Sequence, residues 1–353
     1  MSTETGSDGV KRRDFLKVLG VTGAAGAMVG CSSERVEKLI PYLVNPDHTV
    51  AGVSNYYATT CRECAAACGV IAEVRDGRAI KLEGNPEHPL SRGALCAKGQ
   101  SALQGLYNPD RYRGPMVREN GVLVATTWDK ALELLGQKLG EVRSAGTAGR
   151  AAFVNQAESG SFPALLDQWL AAHGMPQHVA YDADANLGTL EANRQAYGTP
   201  WPALDFGAAR LIVSIGADFL DDWGAVVPNQ LAWAEARGKL EDAPRFVYIG
   251  ARRSLTGLNA DEWIAARPGS ELAIARALQG AGVTIAEAAE AAGVPAAQLQ
   301  ALATELNATR PSLVVAGTRG PDATDVALAA AAINQAAGNV GVTVKPAEAV
   351  ASY

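Results

Sequence analysis

Apolar and polar positions along this chain fall into two regimes. Over residues 69–84 the run GVIAEVRDGRAIKLEG alternates on both sides of Asp76-Gly77. Period-two alternation around Asp-Gly predicts a β-hairpin, because that pair accepts the positive φ of a tight turn. Val70, Ala72 and Val74 are expected on one face, with Ile80 and Leu82 continuing it on the returning strand. MVRENGVLVATTW repeats the signal around Asn120-Gly121 and predicts a second hairpin. Over 129–142 the period lengthens. Ala131, Leu132, Leu134, Leu135 and Leu139 fall near one face of an amphipathic helix.

From Ala151 onward, short apolar runs alternate with helical stretches. The runs are AAFVN (151–155), VAY (179–181), LIVSIG (211–216), FVYIG (246–250) and SLVVAG (312–317). Helices are predicted over 101–107, 162–173, 187–197, 227–237, 271–278, 285–292, 296–306 and 323–337. Continuously apolar strands separated by helices predict a parallel sheet covered on both faces. Such sheets bind ligands where strands give way to glycine-bearing loops, which singles out Gly216, Gly250 and Gly317. The predicted class is α/β. A small N-terminal domain with β-hairpins spans 54–112, and a doubly wound, mostly parallel α/β domain spans 113–353 and reads as incomplete.

The chemistry is concentrated ahead of that sheet. Four of the five cysteines, Cys61, Cys64, Cys68 and Cys96, are spaced C-x2-C-x3-C-x27-C. Four thiolates suit an iron–sulfur cluster or tetrahedral zinc. Zinc usually takes two close pairs. A local triplet with one remote cysteine favours a [4Fe-4S] cluster. Zinc, two disulfides and free thiols are the alternatives. His88 lies in the loop GNPEHPLSRG (84–93) and reads as a solvated or capping loop residue rather than a metal ligand, since four thiolates already complete a cluster.

Composition changes the picture at the N-terminus. The chain has 353 residues, 48% of them hydrophobic, and a net charge of −6. No basic block lies beyond the N-terminus, which argues against a nucleic-acid partner. No apolar run reaches the roughly 20 residues of a membrane span. Residues 11–17, KRRDFLK, precede a soft Gly/Ala-rich apolar segment at 18–30. Paired arginines, Phe-Leu and a mild apolar run predict a twin-arginine export signal over 1–31. That route carries proteins already folded around cofactors. Cys31 follows Gly30 at the end of the segment and is a candidate for lipidation. Residues 32–53, polar with two prolines, read as an extended arm.

The cysteine spacing, the first hairpin, G-N-P-x-H-P (84–89), R-G-A-L-C (92–96), Lys98-Gly99 and YNPDR (107–111) resemble the N-terminal iron–sulfur domain of the molybdopterin oxidoreductase superfamily. That superfamily includes formate dehydrogenases, periplasmic nitrate reductases and polysulfide reductases. LIVSIGAD, ADEWIAARPGSE and INQAAGNVG resemble its cofactor-cradling domain. The resemblance covers 54–353. It implies that Cys61, Cys64, Cys68 and Cys96 ligate [4Fe-4S], and that Lys98 is an electron relay between cluster and pterin.

Molybdopterin guanine dinucleotide is the family's second cofactor, and here the pattern departs. The stretch YDADANLGTLEANRQAYG (181–198) has no Cys or Ser to bind molybdenum, leaving Asp184 or Asp182. Gly250 stands where the family carries an acidic residue for the guanosine. Gly216-Ala217-Asp218 replaces G-x-N, and Asp218 would face phosphates unfavourably unless paired. Together these imply a degenerate cofactor site. The leader, Gly30-Cys31, the arm EKLIPYLVNPDHTVAG and NYYAT look like the large iron–sulfur subunit of alternative complex III, a quinol-oxidising bacterial respiratory complex. That likeness implies an electron-transfer or scaffold role on the periplasmic side. Its implied partners are cytochrome c subunits and an integral membrane quinol-oxidising subunit. An active periplasmic molybdopterin-dependent oxidoreductase and a zinc-stapled binding protein are the competing readings.

Overall fold

The structure is a computed structural model that describes residues 49–64, 66–181, 186–239 and 241–349. The export segment with Cys31, most of the 32–53 arm, and Asp182 and Asp184 lie outside the described residues. The described residues from Tyr56 onward belong to one compact unit.

Ser54–Thr60 (β1), Gly69–Arg75 (β2) and Arg78–Gly84 (β3) form one sheet in that order. Asp76 and Gly77 take φ of 50° and 76°, as the hairpin signal requires. Ala72 pairs with Leu82, and both Val70 and Ala72 are buried. Ile80 departs from expectation. The register shifts between Glu73 and Val74, so Val74 pairs with Ala79 and Ile80 drops out of the ladder, 41% exposed. One extra residue in a strand moves side chains to the other face. Ala97–Leu106 (α1) packs on β3 and starts four residues before the expected position, with Cys96 as its N-cap.

The second hairpin forms from Met116–Glu119 (β4) and Val122–Ala125 (β5), with Asn120 and Gly121 at positive φ. Trp128–Ser144 (α2) follows, its first turn capped by the Thr127 hydroxyl, which accepts from the Lys130 N–H at 3.3 Å. None of its residues is buried, and Trp128, Leu132 and Leu135 are exposed. Ala131, Leu134 and Leu139 on its apolar face are only half-buried.

Val154–Gln156 (β6) and Val179–Tyr181 (β7) pair with each other in a parallel sheet of their own, flanking Phe162–Ala172 (α3). The apolar pattern assigns them instead to the main sheet. At three residues each, with all but Asn155 exposed, they lack the apolar faces that buried strands need. Leu187–Tyr197 (α4) then leads to Ala203–Leu204 (β8), which pairs antiparallel with Val344–Lys345 (β13).

The main sheet contains Leu211–Ile215 (β9), Arg245–Ile249 (β10), Glu262–Ile264 (β11) and Ser312–Ala316 (β12), all parallel and ordered β11-β10-β9-β12. β11 is not predicted by the apolar pattern. Leu211, Val213, Ile215, Val247 and Ile249 face one core. Glu271–Gln279 (α7), Ile285–Ala292 (α8), Ala296–Ala308 (α9) and Ala323–Ala336 (α10) cover it. Ile212, Phe246, Tyr248, Leu313 and Val315 face the other, with Val226–Arg237 (α5). Aromatics are sparse overall, yet Phe206, Phe219, Trp233 and Phe246 gather there with centroids 4.8–6.2 Å apart. Both faces are covered, so the doubly wound arrangement holds. A short helix, Leu255–Leu258 (α6), follows β10.

Candidate iron–sulfur pocket and strand-end cleft

Cys61 and Cys68 close a loop between β1 and β2, with the Cys61 N–H donating to the Cys68 carbonyl at 2.8 Å. Ala67 takes φ of 48°, a left-handed turn that L-residues adopt at some cost. Its N–H reaches the Cys64 carbonyl at 3.3 Å, which folds the triplet inward. Cys96 arrives from the far side. Asn85 donates its N–H to Gly69 and accepts one from Gly93, each at 2.9 Å, binding the 84–93 loop to the hairpin base. His88 accepts at Nδ1 from the Ser91 N–H at 3.2 Å, and its ring fills the space a side chain at Gly69 would need. Of the two expected roles, solvated or capping, it takes the capping one.

The four thiols meet around one small apolar cluster. Ala66 and Cys68 are buried with Ala225 and Val227, and Cys61, Cys64, Ala94, Cys96 and Leu231 pack against them. All four are free cysteines, so the disulfide alternative falls. Burial pushes the Cys68 thiol up to about 12, and the neighbouring Cys64, Cys61 and Cys96 add to the shift. Burial likewise raises Cys61, partly offset by a backbone hydrogen bond at Glu63. A bound metal centre reverses this, because it takes thiolates. Cys96 caps α1, whose N-terminal end favours negative charge.

Among the described residues, no group of three or more His, Cys, Asp or Glu side chains is placed to hold one metal ion. Four cysteine thiols, a local triplet plus one remote, are the ligand set of a four-iron cluster. The donor set fits [4Fe-4S]. Beside Cys61 and Cys64 opens a cavity of about 310 Å³, bordered by residues 157–162. Arg62 crosses it to an ion pair with Glu158, and Gln156 donates to the Arg62 carbonyl at 2.9 Å. Lys98 is exposed in the first turn of α1.

The second site lies where the main sheet ends. Gly216, Gly250 and Gly317 line an open cleft of about 620 Å³. Their N–H groups continue the ladder, donating to Ile249, Ile264 and Ile215 at 2.9, 3.1 and 3.0 Å. They are not available to a ligand phosphate. A Cβ at Gly250 would stand 2.9 Å from the Tyr248 ring, and one at Gly317 2.4 Å from Trp223. The ring of Tyr248 thus fills the space that an acidic side chain at 250 would take.

Asp218 is 7% exposed and is paired. It accepts from the Tyr248 hydroxyl at 2.8 Å, from Arg252 Nη2 at 3.1 Å and from the Ser254 hydroxyl. Burial pushes the Tyr248 hydroxyl up to about 12; Ser254 lowers it and Asp218 raises it. On the other flank Arg319 pairs with Asp222. The cleft wall carries Asp218, Asp222, Glu271 and Asp322 against Arg252 and Arg319, four carboxylates to two guanidiniums. Like charges about 4 Å apart repel by about 4 kcal/mol at an effective dielectric near 20. These residues do not fit the pyrophosphate of a dinucleotide.

The structure brings Cys61, Cys64, Cys68 and Cys96 into one pocket, and Gly216, Asp218 and Gly250 into one cleft. Arg252, Arg319, Asp222 and Tyr248 are absent from the sequence expectations. Their only signal is position: Tyr248 lies within β10, and the other three lie in the loops after β9, β10 and β12.

Comparison with known proteins agrees with this geometry. Residues 54–108 match the molybdopterin oxidoreductase Fe4S4 domain, and residues 111–352 match the molybdopterin oxidoreductase domain. The menaquinone reductase molybdopterin-binding-like subunit of Nitratidesulfovibrio vulgaris is 28% identical over 65% of this chain and 33% of its own length. The matching chain of the Allochromatium vinosum sulfite dehydrogenase is 28% identical over 62% of this chain and 23% of its own. The thiosulfate reductase molybdopterin-containing subunit of Salmonella typhimurium is 25% identical over 76% of this chain and 34% of its own. The chain thus spans about a third or less of these relatives' length. The acetylene hydratase of Pelobacter acetylenicus shares the fold, with a TM-score of 0.65 and 18% identity over 81% of this chain and 44% of that one. With both domains matched and the four-thiol pocket in place, the chain belongs to the molybdopterin oxidoreductase family.

Proposed function

We propose that this chain is an electron-transfer and scaffold part of a bacterial membrane-bound quinol oxidoreductase of the alternative complex III type. In this reading it carries [4Fe-4S] and no molybdenum. The observation that carries the reading is the contrast between its two sites. The cysteine pocket is complete, while the guanidiniums of the cleft are engaged by the chain's own carboxylates. A relative named as a molybdopterin-binding-like subunit of menaquinone reductase supports a role beside quinone chemistry.

Cys61, Cys64, Cys68 and Cys96 would hold the cluster, which supplies one-electron transfer when bound. The wall of Ala66, Ala225 and Val227 shields Cys68 from water. Lys98, two residues beyond Cys96, would relay electrons by offsetting the cluster's negative charge. The partners are cytochrome c subunits and an integral membrane quinol-oxidising subunit. The location is the periplasmic side of the membrane, reached by the twin-arginine signal, with Cys31 as a lipid anchor.

The test is elemental and spectroscopic analysis of the protein purified within its complex. Iron is expected, with a broad visible band that bleaches with dithionite and is lost in Cys64→Ala. Reduced quinol analogue should bleach it as well. Stoichiometric molybdenum or tungsten would overturn the reading and leave an active molybdopterin-dependent oxidoreductase in its place.

A further inference from the structure

The order β10-β9-β12 sets three loops side by side at the carboxyl ends of the strands. The middle loop, after β9, carries Asp218 and Asp222. The loop after β10 carries Arg252, and the loop after β12 carries Thr318 and Arg319. Both guanidiniums turn onto the middle loop: Arg252 onto Asp218 at 3.1 Å, and Arg319 onto Asp222.

We propose that Asp218 and Asp222 form a carboxylate latch across the strand-end cleft, holding Arg252 and Arg319 and so closing the cleft to nucleoside diphosphates. The proposal rests on the functional reading above, in which the cleft holds no dinucleotide. Two carboxylates stand as internal anions where a ligand would present its phosphates. Guanidinium groups pair with carboxylate and phosphate by the same planar hydrogen-bonding geometry, so one anion can replace the other.

The two carboxylates of the latch differ in enclosure. Asp218 is fixed by Tyr248 and Ser254 besides Arg252, and its side chain is only 10% exposed. Asp222 is nearer water, at 23%, whereas of the two guanidiniums Arg252, at 70%, is more exposed than Arg319, at 50%. Asp222 is therefore the less enclosed of the two carboxylates, with fewer protein partners to hold it. Thr318 lines the same cleft, and its hydroxyl oxygen is buried without a hydrogen-bond partner. A buried polar atom left unpaired is costly, and an anion admitted to the cleft would supply its acceptor. Arg252, Arg319 and Thr318 together make an anion site that the latch keeps filled.

The test is calorimetric titration of the cluster-bearing full chain with GDP and with inorganic pyrophosphate. The wild type is expected to show no saturable binding. Asp218→Asn/Asp222→Asn neutralises the latch and is expected to bind both, with a gain of roughly tenfold or more. Adding Arg319→Ala to that variant should remove the gain. Wild-type binding as tight as the double variant's would overturn the latch, and so would a folded double variant that gains nothing. Should the double variant fail to fold, Asp222→Asn alone decides, because Asp222 is the more exposed carboxylate; no gain there overturns the proposal. Metal content judges the functional reading separately: GDP binding by a wild type free of molybdenum would sink the latch and leave that reading standing.

Discussion

A Cβ at Gly84 would stand 2.3 Å from the carbonyl oxygen of Gly93. The last residue of β3 and the loop leading to Cys96 meet backbone to backbone, with no room for a side chain. Because the obstacle is main chain, it cannot turn aside. Gly84→Ala is expected to displace the 84–93 loop, destabilise the domain by about 1–3 kcal/mol, and weaken the cluster's visible band. Urea unfolding and absorbance check both. An unchanged spectrum at native stability would show that the Cys96 loop tolerates another path.

Val227, the second residue of α5, is 1% exposed and shares an apolar cluster with Cys68. Val227→Ala removes wall atoms beside the most buried thiol. A loss of roughly 1–3 kcal/mol is expected from transfer and cavity effects. Faster bleaching of the cluster in air should accompany it, since water gains access. The exposed Arg92–Glu235 pair joins the same helix to the Cys96 loop at 2.8 Å. Breaking it with Glu235→Gln is expected to cost less than about 1 kcal/mol, as exposed ion pairs do.

Asn334, on α10, blocks the free edge of β12. Its Oδ1 accepts from the Val314 N–H at 3.0 Å, and its Nδ2 donates to the Val314 carbonyl at 2.7 Å. The amide imitates a neighbouring strand, and Asn339 does the same for the Ser312 N–H at 3.1 Å. Asn334→Leu keeps the approximate size and leaves both Val314 groups unpaired. Each orphaned group is expected to cost about 1–3 kcal/mol, read as a lower urea midpoint. Exposed, unpaired strand edges also invite association, so light scattering should rise on partial unfolding.

Asp261 makes stability depend on acid. Burial raises its carboxyl, but Arg237, at 3.0 and 2.8 Å, and the Phe246 N–H, at 2.8 Å, outweigh burial and hold it below the ordinary carboxylate range. As pH falls, the unfolded chain takes up its proton first. The contribution is therefore complete above the ordinary carboxylate range and is lost as pH drops through the lower folded value. Asp261→Asn should flatten that part of the profile. Urea midpoints of both proteins from neutral pH down to about 3 measure it; parallel profiles would remove Asp261 from the account.

Local elements were legible in the chain alone. Asp76-Gly77 and Asn120-Gly121 fixed both hairpins, because a turn's φ requirement involves only adjacent residues. Helical and strand periodicity placed 187–197, 285–292 and 179–181 at their observed bounds. The cysteine spacing named the four thiols that the fold gathers into one pocket. It could not show what stands behind Cys68, because Ala225 and Val227 reach that pocket from the α/β domain through packing alone.

The state of the cleft depends instead on tertiary placement. Asp218 reads in sequence as an unfavourable charge. It becomes a held one because strand order sets its loop beside Arg252 and Ser254, 34 and 36 residues away. The same order brings Arg319 to Asp222 across 97 residues. β6 and β7 were legible as strands but not as a separate sheet, and Ile80 was lost to a bulge. Local signals follow from a few neighbouring dihedrals. Charge pairing and strand partnership follow from which loops the sheet places next to one another.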